Sequence, residues 1–475
     1  MPVKKVVFLS YSQVITALEH LRVLGPLSRT KIQVINGMEG GVPNLDLIRD
    51  GDLVVFQRNF SSRYAAYQRV LDEAHKHRIP VLMDLDDYLI GLPYDHPDRK
   101  WSPFAFELPA LLHAIMSVDA ITVTTPTLQN VISRYNKNVY VLPNFLDDSI
   151  WDIQAHPMKD GKQSPVEIMF IGTLTHQPDL QSIAEPLKVI AEKYKNRIAL
   201  TFYGPEIPDS LKKFDNVRHL APVTYDYADF ALSTKSISAD IAIAPLIDDL
   251  FNRCKSPIKY MEYTAIGLPC VFSNITPYSE VIKDGINGFL ADEPDEWIEK
   301  LSKLVDDQNL RNQILANAQM DVRYNWMLHD HAFLWQNSYD QVLSAGVEEQ
   351  RENQSQLSAL GQIAEQIEEQ IQRQAEKTAS LNQEIQEAHA QNTTLKESAL
   401  REVIHAAELI FAEKERNQKL ATERDLLKER SQKLATEKDL LLENTKREVA
   451  EFLLSDSWRI TRPLRKIAKY FRRGK

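Results

Sequence analysis

Residues 252 to 263 read NRCKSPIKYMEY, so that Arg253, Lys255 and Lys259 crowd together and Glu262 follows one helical turn after the last of them. The next residues, TAIGLPCVFSN, end a helix at Ile266-Gly267-Leu268-Pro269 and lead into an apolar strand. A helix that begins beside three cations makes an anion site. Its free backbone N–H groups, the positive end of its dipole and the flexible basic side chains suit a diphosphate. Glu262 has the acceptors to hold a ribose diol. The same Lys-x-x-Glu spacing is also that of an i, i+3 ion pair on a solvated helix.

A second chemical cluster is MDLDDY, residues 83 to 88. Asp84-Leu85-Asp86 imitates a metal-holding D-x-D, since hard divalent cations prefer paired carboxylates. The motif closes a strand in the other half of the chain, which favours Asp86 and Asp87 as contacts to a bound substrate over a metal site; helix capping or loop structure is the alternative. No metal is expected. Arg58, following VVFQ at another strand end, is read as a cleft cation or a surface ion-pair partner. His96 in YDHPD is a substrate-side candidate or an exposed loop histidine, and Tyr88 and Trp101 either stack on a substrate ring or simply pack.

The elements that position these groups alternate regularly. KKVVFLS, KIQVING, GDLVVFQ, IPVLMDL, AITVT and NVYVLPN are continuous apolar strands separated by helical stretches, the mark of a parallel sheet covered on both faces. After the connection VLPNFLDDSIWDIQAHPMKDGKQSP the rhythm resumes with VEIMFIGT, RIALTFYG, ADIAIAPL, LPCVFSN and GFLA. Two doubly wound α/β domains in tandem enclose a cleft lined by the carboxyl ends of both sets of strands, where such sheets bind ligands.

At 475 residues the chain exceeds one core, and its 43% hydrophobic and 26% charged content is that of a globular protein. No apolar run reaches the length of a membrane span. The opening MPVKKVVFLS carries too short an apolar stretch for a signal peptide and reads as a first strand. Two cysteines, Cys254 and Cys270, imply no disulfide framework and fit a reducing cytoplasm.

Residues 347 to 452 are dominated by Glu, Gln, Lys, Ala and Leu without proline, predicting a long helix. NQKLATERDLLKER is followed directly by SQKLATEKDLLLEN, so Leu420, Leu427, Leu434 and Leu441 recur every seventh residue. The other seam position holds Arg424, Ser431 and Lys438, giving a weak coiled coil suited to self-association, or a single exposed helix. The end, SWRITRPLRKIAKYFRRGK, has eight basic residues and no acid, leaving the rest of the chain at −18 from a total of −10. Leu464, Ile467, Ala468 and Phe471 share one helical face with Arg465, Lys466, Lys469, Arg472 and Arg473 around it, the pattern of an interfacial helix on anionic lipid, or of a solvated or nucleic-acid-binding tail.

Lys259 to Val271 (K-x-x-E-Y-x-A-x-G-x-P-x-V) and Glu280 to Leu290 (E-V-I-x-D-G-x-N-G-F-L) resemble the donor-binding signature of family 4 glycosyltransferases of GT-B fold, with similarity extending over roughly residues 160 to 345. LRVLGPL, FQRN, MDLDDYLIGLP, DAITVTTPTL and VYVLPNFLD in the first domain are similar to bacterial surface-polysaccharide members. The resemblance implies retaining transfer of a sugar from a nucleotide-sugar, of UDP or GDP type, to an acceptor hydroxyl, with no obligatory metal and no cofactor. It implies that Glu262 binds the donor ribose and Lys259 the diphosphate, with Ser273 to Pro277, including Asn274 and Thr276, beside the sugar and phosphates. The family's first glutamate is replaced by Cys254, and its usual Arg and Lys after the first strand of the second domain by Thr173 and Pro178; Arg253, Lys255 and His176 are the candidates to compensate.

The expected organisation is therefore an acceptor domain over 1–155, a nucleotide-sugar domain over 156–346 whose last helix crosses back, a coiled coil over 347–452 and a basic amphipathic tail over 453–475. Asp86, Asp87, Lys259 and Glu262 are the catalytic candidates, and Arg58, Thr173, Arg253, Lys255, Asn274 and Thr276 join Lys259 and Glu262 in holding the donor. Expected partners are a nucleotide-sugar, a glycan or glycolipid acceptor, anionic lipid and a second copy of the chain, but no nucleic acid. The expected location is the cytoplasm, peripherally at the inner membrane. A silent GT-B scaffold organising other enzymes through the coil is the other reading.

Overall fold

The computed structural model describes residues 2–11, 15–58, 60–61, 63–94, 96–101, 104–153, 165–221, 224–234, 236–347, 354–410, 426, 428–439 and 443. The chain forms two compact units, 1–361 and 362–475. In the first, the apolar runs of the N-terminal half become β1 (Lys5–Leu9), β2 (Gln33–Asn36), β3 (Leu53–Gln57), β4 (Val81–Leu85), β5 (Ala120–Val123) and β6 (Val139–Val141), all parallel in the order β2-β1-β3-β4-β5-β6. Every residue of β3 and β4 is buried, as continuous hydrophobic strands covered on both faces must be.

The second sheet contains β7 (Val166–Ile171), β8 (Ile198–Tyr203), β9 (Val217–Leu220), β10 (Ile241–Ala244), β11 (Cys270–Ser273) and β12 (Phe289–Ala291), parallel in the order β9-β8-β7-β10-β11-β12. Strand order reverses at β1/β3 and at β7/β10, and the chain leaving these strands at their carboxyl ends forms the walls of a crevice. The edge strand β9 is not predicted from sequence. Its residues VRHL are mostly exposed, so it carries no apolar run and is held by pairing with β8 alone.

The helix Phe333–Ala345 returns to the first sheet. Trp335, Tyr339 and Val342 are buried with Val3, Val6 and Phe8 of the first domain, and Asp340 accepts a hydrogen bond from the Val3 amide at 2.6 Å. The crossing is fixed by Leu146, whose amide and carbonyl bond Trp326 and Leu328 at 2.8 and 2.9 Å. Beneath it lies the ion pair of Arg22 and Asp84, both about 1% exposed and 2.9 Å apart. Arg22 also donates to the Leu142 carbonyl and to Asn144, while Thr122 donates to Asp84 at 2.7 Å, so both buried charges are fully engaged.

A long helix runs over Gln354–Ile410. In the second unit residues 371–380 are all exposed, as are Leu426 and Leu434 of the repeat. Leu420, Leu427, Leu441 and the tail 444–475 lie outside the described residues. No helix among the described residues is long and apolar enough to cross a membrane.

Trp335 is fully buried and donates its indole N–H to the Arg22 carbonyl at 2.7 Å. Trp335→Ala should therefore cost about 3–5 kcal/mol of stability in denaturant unfolding. A loss below about 1 kcal/mol would contradict the packing described for the returning helix.

Candidate functional site

The second domain contributes the opening motif in an unusual setting. Asp249 caps the short helix Leu250–Arg253 through the Asn252 amide at 2.7 Å, the chain turns through Cys254, Lys255, Ser256 and Pro257, and the helix Ile258–Ile266 begins with no side chain capping it. The first amides of this helix, at Ile258 and Lys259, thus take no side-chain cap, while the Tyr260 amide donates to the Pro257 carbonyl at 2.9 Å. Gly267 ends the helix at φ 93°, in the left-handed region.

Lys259 is half-buried, donates to the Ile171 carbonyl at 2.6 Å and stands over the Phe170 ring at the end of β7. Burial lowers its affinity for the proton, and the nearby Glu262 carboxylate opposes that. Burial raises Glu262 in turn, against Lys259 and the hydrogen bond from the Tyr227 hydroxyl at 2.9 Å. Tyr227 is itself positioned by the Trp151 indole N–H at 3.1 Å. The Lys259–Glu262 pair is thus partly desolvated rather than an ion pair on a solvated helix.

His176 lies beside this pair. Its Nδ1 meets Asp179 at 2.9 Å, and Asp179, 4% exposed, also accepts from the Ile247 amide and the Asn252 side chain. Asp179 escaped the sequence reading because an Asp three positions past a His in a polar turn carries no distinguishing pattern. The loop is tight: Gly204, at φ 100°, packs so closely on the Gly172 carbonyl that an added Cβ would lie 1.9 Å from its oxygen.

In the first domain, Asp84 is committed to Arg22, so the D-x-D imitation does not act as a unit. Asp86 and Asp87 at the end of β4 instead embrace Arg58, which leaves β3 at φ 48°. Its Nε bonds Asp86 and its Nη2 bonds Asp87 at 2.9 Å. Burial would lower Arg58, but the two carboxylates outweigh it and hold the guanidinium charged. Burial raises Asp86 above the usual carboxylate range. Asp87 feels the same burial, yet Lys255, Arg58, His176 and His96 hold it below that range. Adjacent carboxyls are thereby poised differently.

The two domains meet across the crevice. Lys255 Nζ is 3.9 Å from Asp87, Thr125 donates to the Cys254 carbonyl at 2.9 Å, and Asn144 donates to Ser256 at 2.9 Å. His96, buried and lowered by that burial, packs edge-on to Phe251 at 5.1 Å. Tyr88 folds over Gly91, where any Cβ would strike its ring, and so packs locally. The Trp101 side chain lies outside the described residues.

Other expected donor contacts lie differently. Arg253 is exposed, with its guanidinium taken by Asp248 at 2.7 Å. Asn274 is exposed and bonds Asp292 at 2.8 Å; Thr173 is exposed and pairs with Thr175. Thr276 precedes a cis Pro277 at the end of β11. The cluster brought together is therefore Lys255, Lys259, Glu262 and His176 against Arg58, Asp86 and Asp87.

Two parallel α/β domains with this cleft and a returning C-terminal helix are the architecture of GT-B glycosyltransferases. Residues 165–307 match the family model described as glycosyl transferases group 1, bearing out the resemblance carried by Lys259–Val271 and Glu280–Leu290. Among solved structures, HepE of Anabaena in complex with UDP and glucose superimposes with a TM-score of 0.51 at 13% identity, covering 71% of this chain and 100% of that one. The HepE complex with UDP-glucose gives 0.51 at 13%, covering 72% and 99%. TarM of S. aureus matches with a TM-score of 0.46 at 14%, covering 63% of this chain, which spans 58% of TarM's length. No curated protein matches by sequence.

Cys254 is 0% exposed and its thiol is pushed up to about 12 by burial. It is therefore neutral and inert at ordinary pH. Labelling of the native protein with a thiol reagent at pH 8 should proceed no faster than unfolding, with both cysteines reacting at once in denaturant. Fast labelling of Cys254 would show that the cleft residues pack otherwise.

Proposed function

We propose that this protein transfers a sugar from a nucleotide-sugar to a hydroxyl of a glycan or lipid-linked glycan acceptor, with retention at the anomeric carbon and without a metal. The observation that carries the reading is the uncapped helix start at Ile258 flanked by Lys255 and Lys259, facing Asp86, Asp87 and Arg58 across the cleft. When the bond from the anomeric carbon to the diphosphate breaks, negative charge grows on the diphosphate oxygens. Fixed N–H groups and lysines that are only partly hydrated stabilise that charge more than bulk water would. On this reading Glu262, held by Tyr227, accepts from the ribose hydroxyls, and Asp86 and Asp87 face the sugar and the acceptor. Cleft closure excludes water and so limits hydrolysis.

UDP is the first nucleotide to test, since HepE was crystallised with UDP-glucose. The sequence of the basic tail supports an inner-leaflet location close to lipid-linked acceptors, and the leucine repeat supports pairing of chains.

A second reading, a silent scaffold of the same fold, draws on one specific observation: the neutral Cys254 thiol where the family has a carboxylate. Titration calorimetry of UDP, GDP, ADP and CDP separates the two. Selective binding of one nucleotide, weakened about 10- to 100-fold by Lys259→Ala and by Glu262→Ala, is expected for loss of one charged hydrogen bond. Absence of binding by all four nucleotides, or affinity unchanged in both variants, would transfer support to the scaffold.

A further inference from the structure

His176 and Asp179 form a dyad that the sequence motifs do not assign. The dyad stands at the end of β7, where Thr173 and Pro178 leave the chain without the basic pair common in the family. Asp179 holds Nδ1 at 2.9 Å and is itself fixed by the Ile247 amide and Asn252. The imidazole stands edge-on to Phe170, the same ring over which Lys259 places its ammonium. Its side chain keeps 15% exposure, so it is reachable from the cleft. Among the described residues no hydrogen bond engages its Nε2.

Resting on the reading above, we propose that His176, anchored by Asp179, takes up one proton when the diphosphate of a nucleotide-sugar enters the cleft, and so becomes a cation there only when the ligand is present.

The charged groups around the ring support this. From its own segment it faces Asp179. From the other elements packed around it come Lys259 on the helix Ile258–Ile266, Lys255 before that helix and Asp87 across the cleft. Burial first, then Lys259 and Lys255, lower the free imidazole to about 4, outweighing Asp179. With no ligand the site already holds two lysines, and a third fixed cation would repel them. A diphosphate brings two negative charges, screens the lysines from the ring and offers an acceptor to an Nε2–H. The proton binds at the Nε2 lone pair, is drawn from solvent and leaves Nδ1–H donated to Asp179. Because the bound state holds one proton more than the free state, affinity is greatest at low pH. It falls as pH rises through the value of the ligand-bound imidazole, by up to about tenfold per pH unit.

The test is calorimetric titration of the full-length protein with UDP-glucose and GDP-mannose, whose diphosphates have no proton to exchange near neutrality, in buffers of different ionisation enthalpy from pH 5 to 8.5. An uptake approaching one proton per ligand in the acid part of this range, shrinking towards zero by pH 8.5, is expected. His176→Gln should abolish the uptake and weaken binding about tenfold at pH 6, while leaving it nearly unchanged at pH 8.5, an outcome that misfolding cannot imitate. His176→Arg should bind without uptake and with little pH dependence. Binding with less than about 0.2 proton taken up at every pH, or uptake that persists in His176→Gln, overturns the inference while leaving the transferase reading intact. Failure of both ligands to bind, with UDP, GDP, ADP and CDP all failing as well, overturns the two together.

Discussion

The buried pair of Arg22 and Asp84 is the constraint on which the site geometry depends. Two charges about 1% exposed are tolerable only when their remaining donors and acceptors are satisfied, and satisfying them recruits distant parts of the chain. Asp84 fixes the end of β4, so that Asp86 and Asp87 emerge at the rim. Arg22 binds Leu142 and Asn144 after β6, and Asn144 reaches Ser256 just before the helix that presents Lys259. The Trp335 ring lies 5.9 Å from the same guanidinium, tying the returning helix to the point where the domains touch. Removing either charge would leave its partner buried and unpaired, at a cost of about 3–5 kcal/mol.

Around that anchor, charge is arranged so that each group is poised by what faces it. Lysines in water would be fully hydrated and would gain little from a diphosphate. Lys259, half-buried against Phe170 and Ile171, has already given up part of its hydration. The opposing wall carries its own balance, with one guanidinium shared by two carboxylates and Asp87 reaching towards Lys255. On the proposed reading a ligand diphosphate would compete with Asp87 for Lys255 and so couple donor binding to the contact between domains.

Much of the architecture was legible because it rests on hydrophobic periodicity. Six strands of the first sheet and five of the second were read as apolar runs, whereas β9 was invisible because VRHL is solvent-facing and exists through its pairing with β8. The strand-end positions of Arg58 and Asp87 and the helical positions of Lys259 and Glu262 were legible, because the apolar runs and the Gly267-Leu268-Pro269 stop fix those elements. Arg253 was not placed correctly by proximity in sequence: one residue separates it from Lys255, but the turn at Cys254 sends it outward to Asp248. Arg22 within LRVLGPL was missed as a site-shaping residue because its partner is 62 positions away, and Asp179 within THQPD because its short-range pairing with His176 carries no pattern and the Asn252 side chain that fixes it is 73 positions away.

The central claim is that the uncapped start of the helix at Ile258, with Lys255 and Lys259, receives the donor diphosphate. The most direct measurement is a crystal structure of the protein with UDP-glucose or GDP-mannose bound. The account predicts diphosphate oxygens within hydrogen-bonding distance of the amides at 258 and 259 and of Lys259 Nζ, the ribose on Glu262, and the sugar directed towards Asp86 and Asp87. A nucleotide seated away from that helix, with Lys259 still bound to the Ile171 carbonyl and Glu262 to Tyr227, would contradict it.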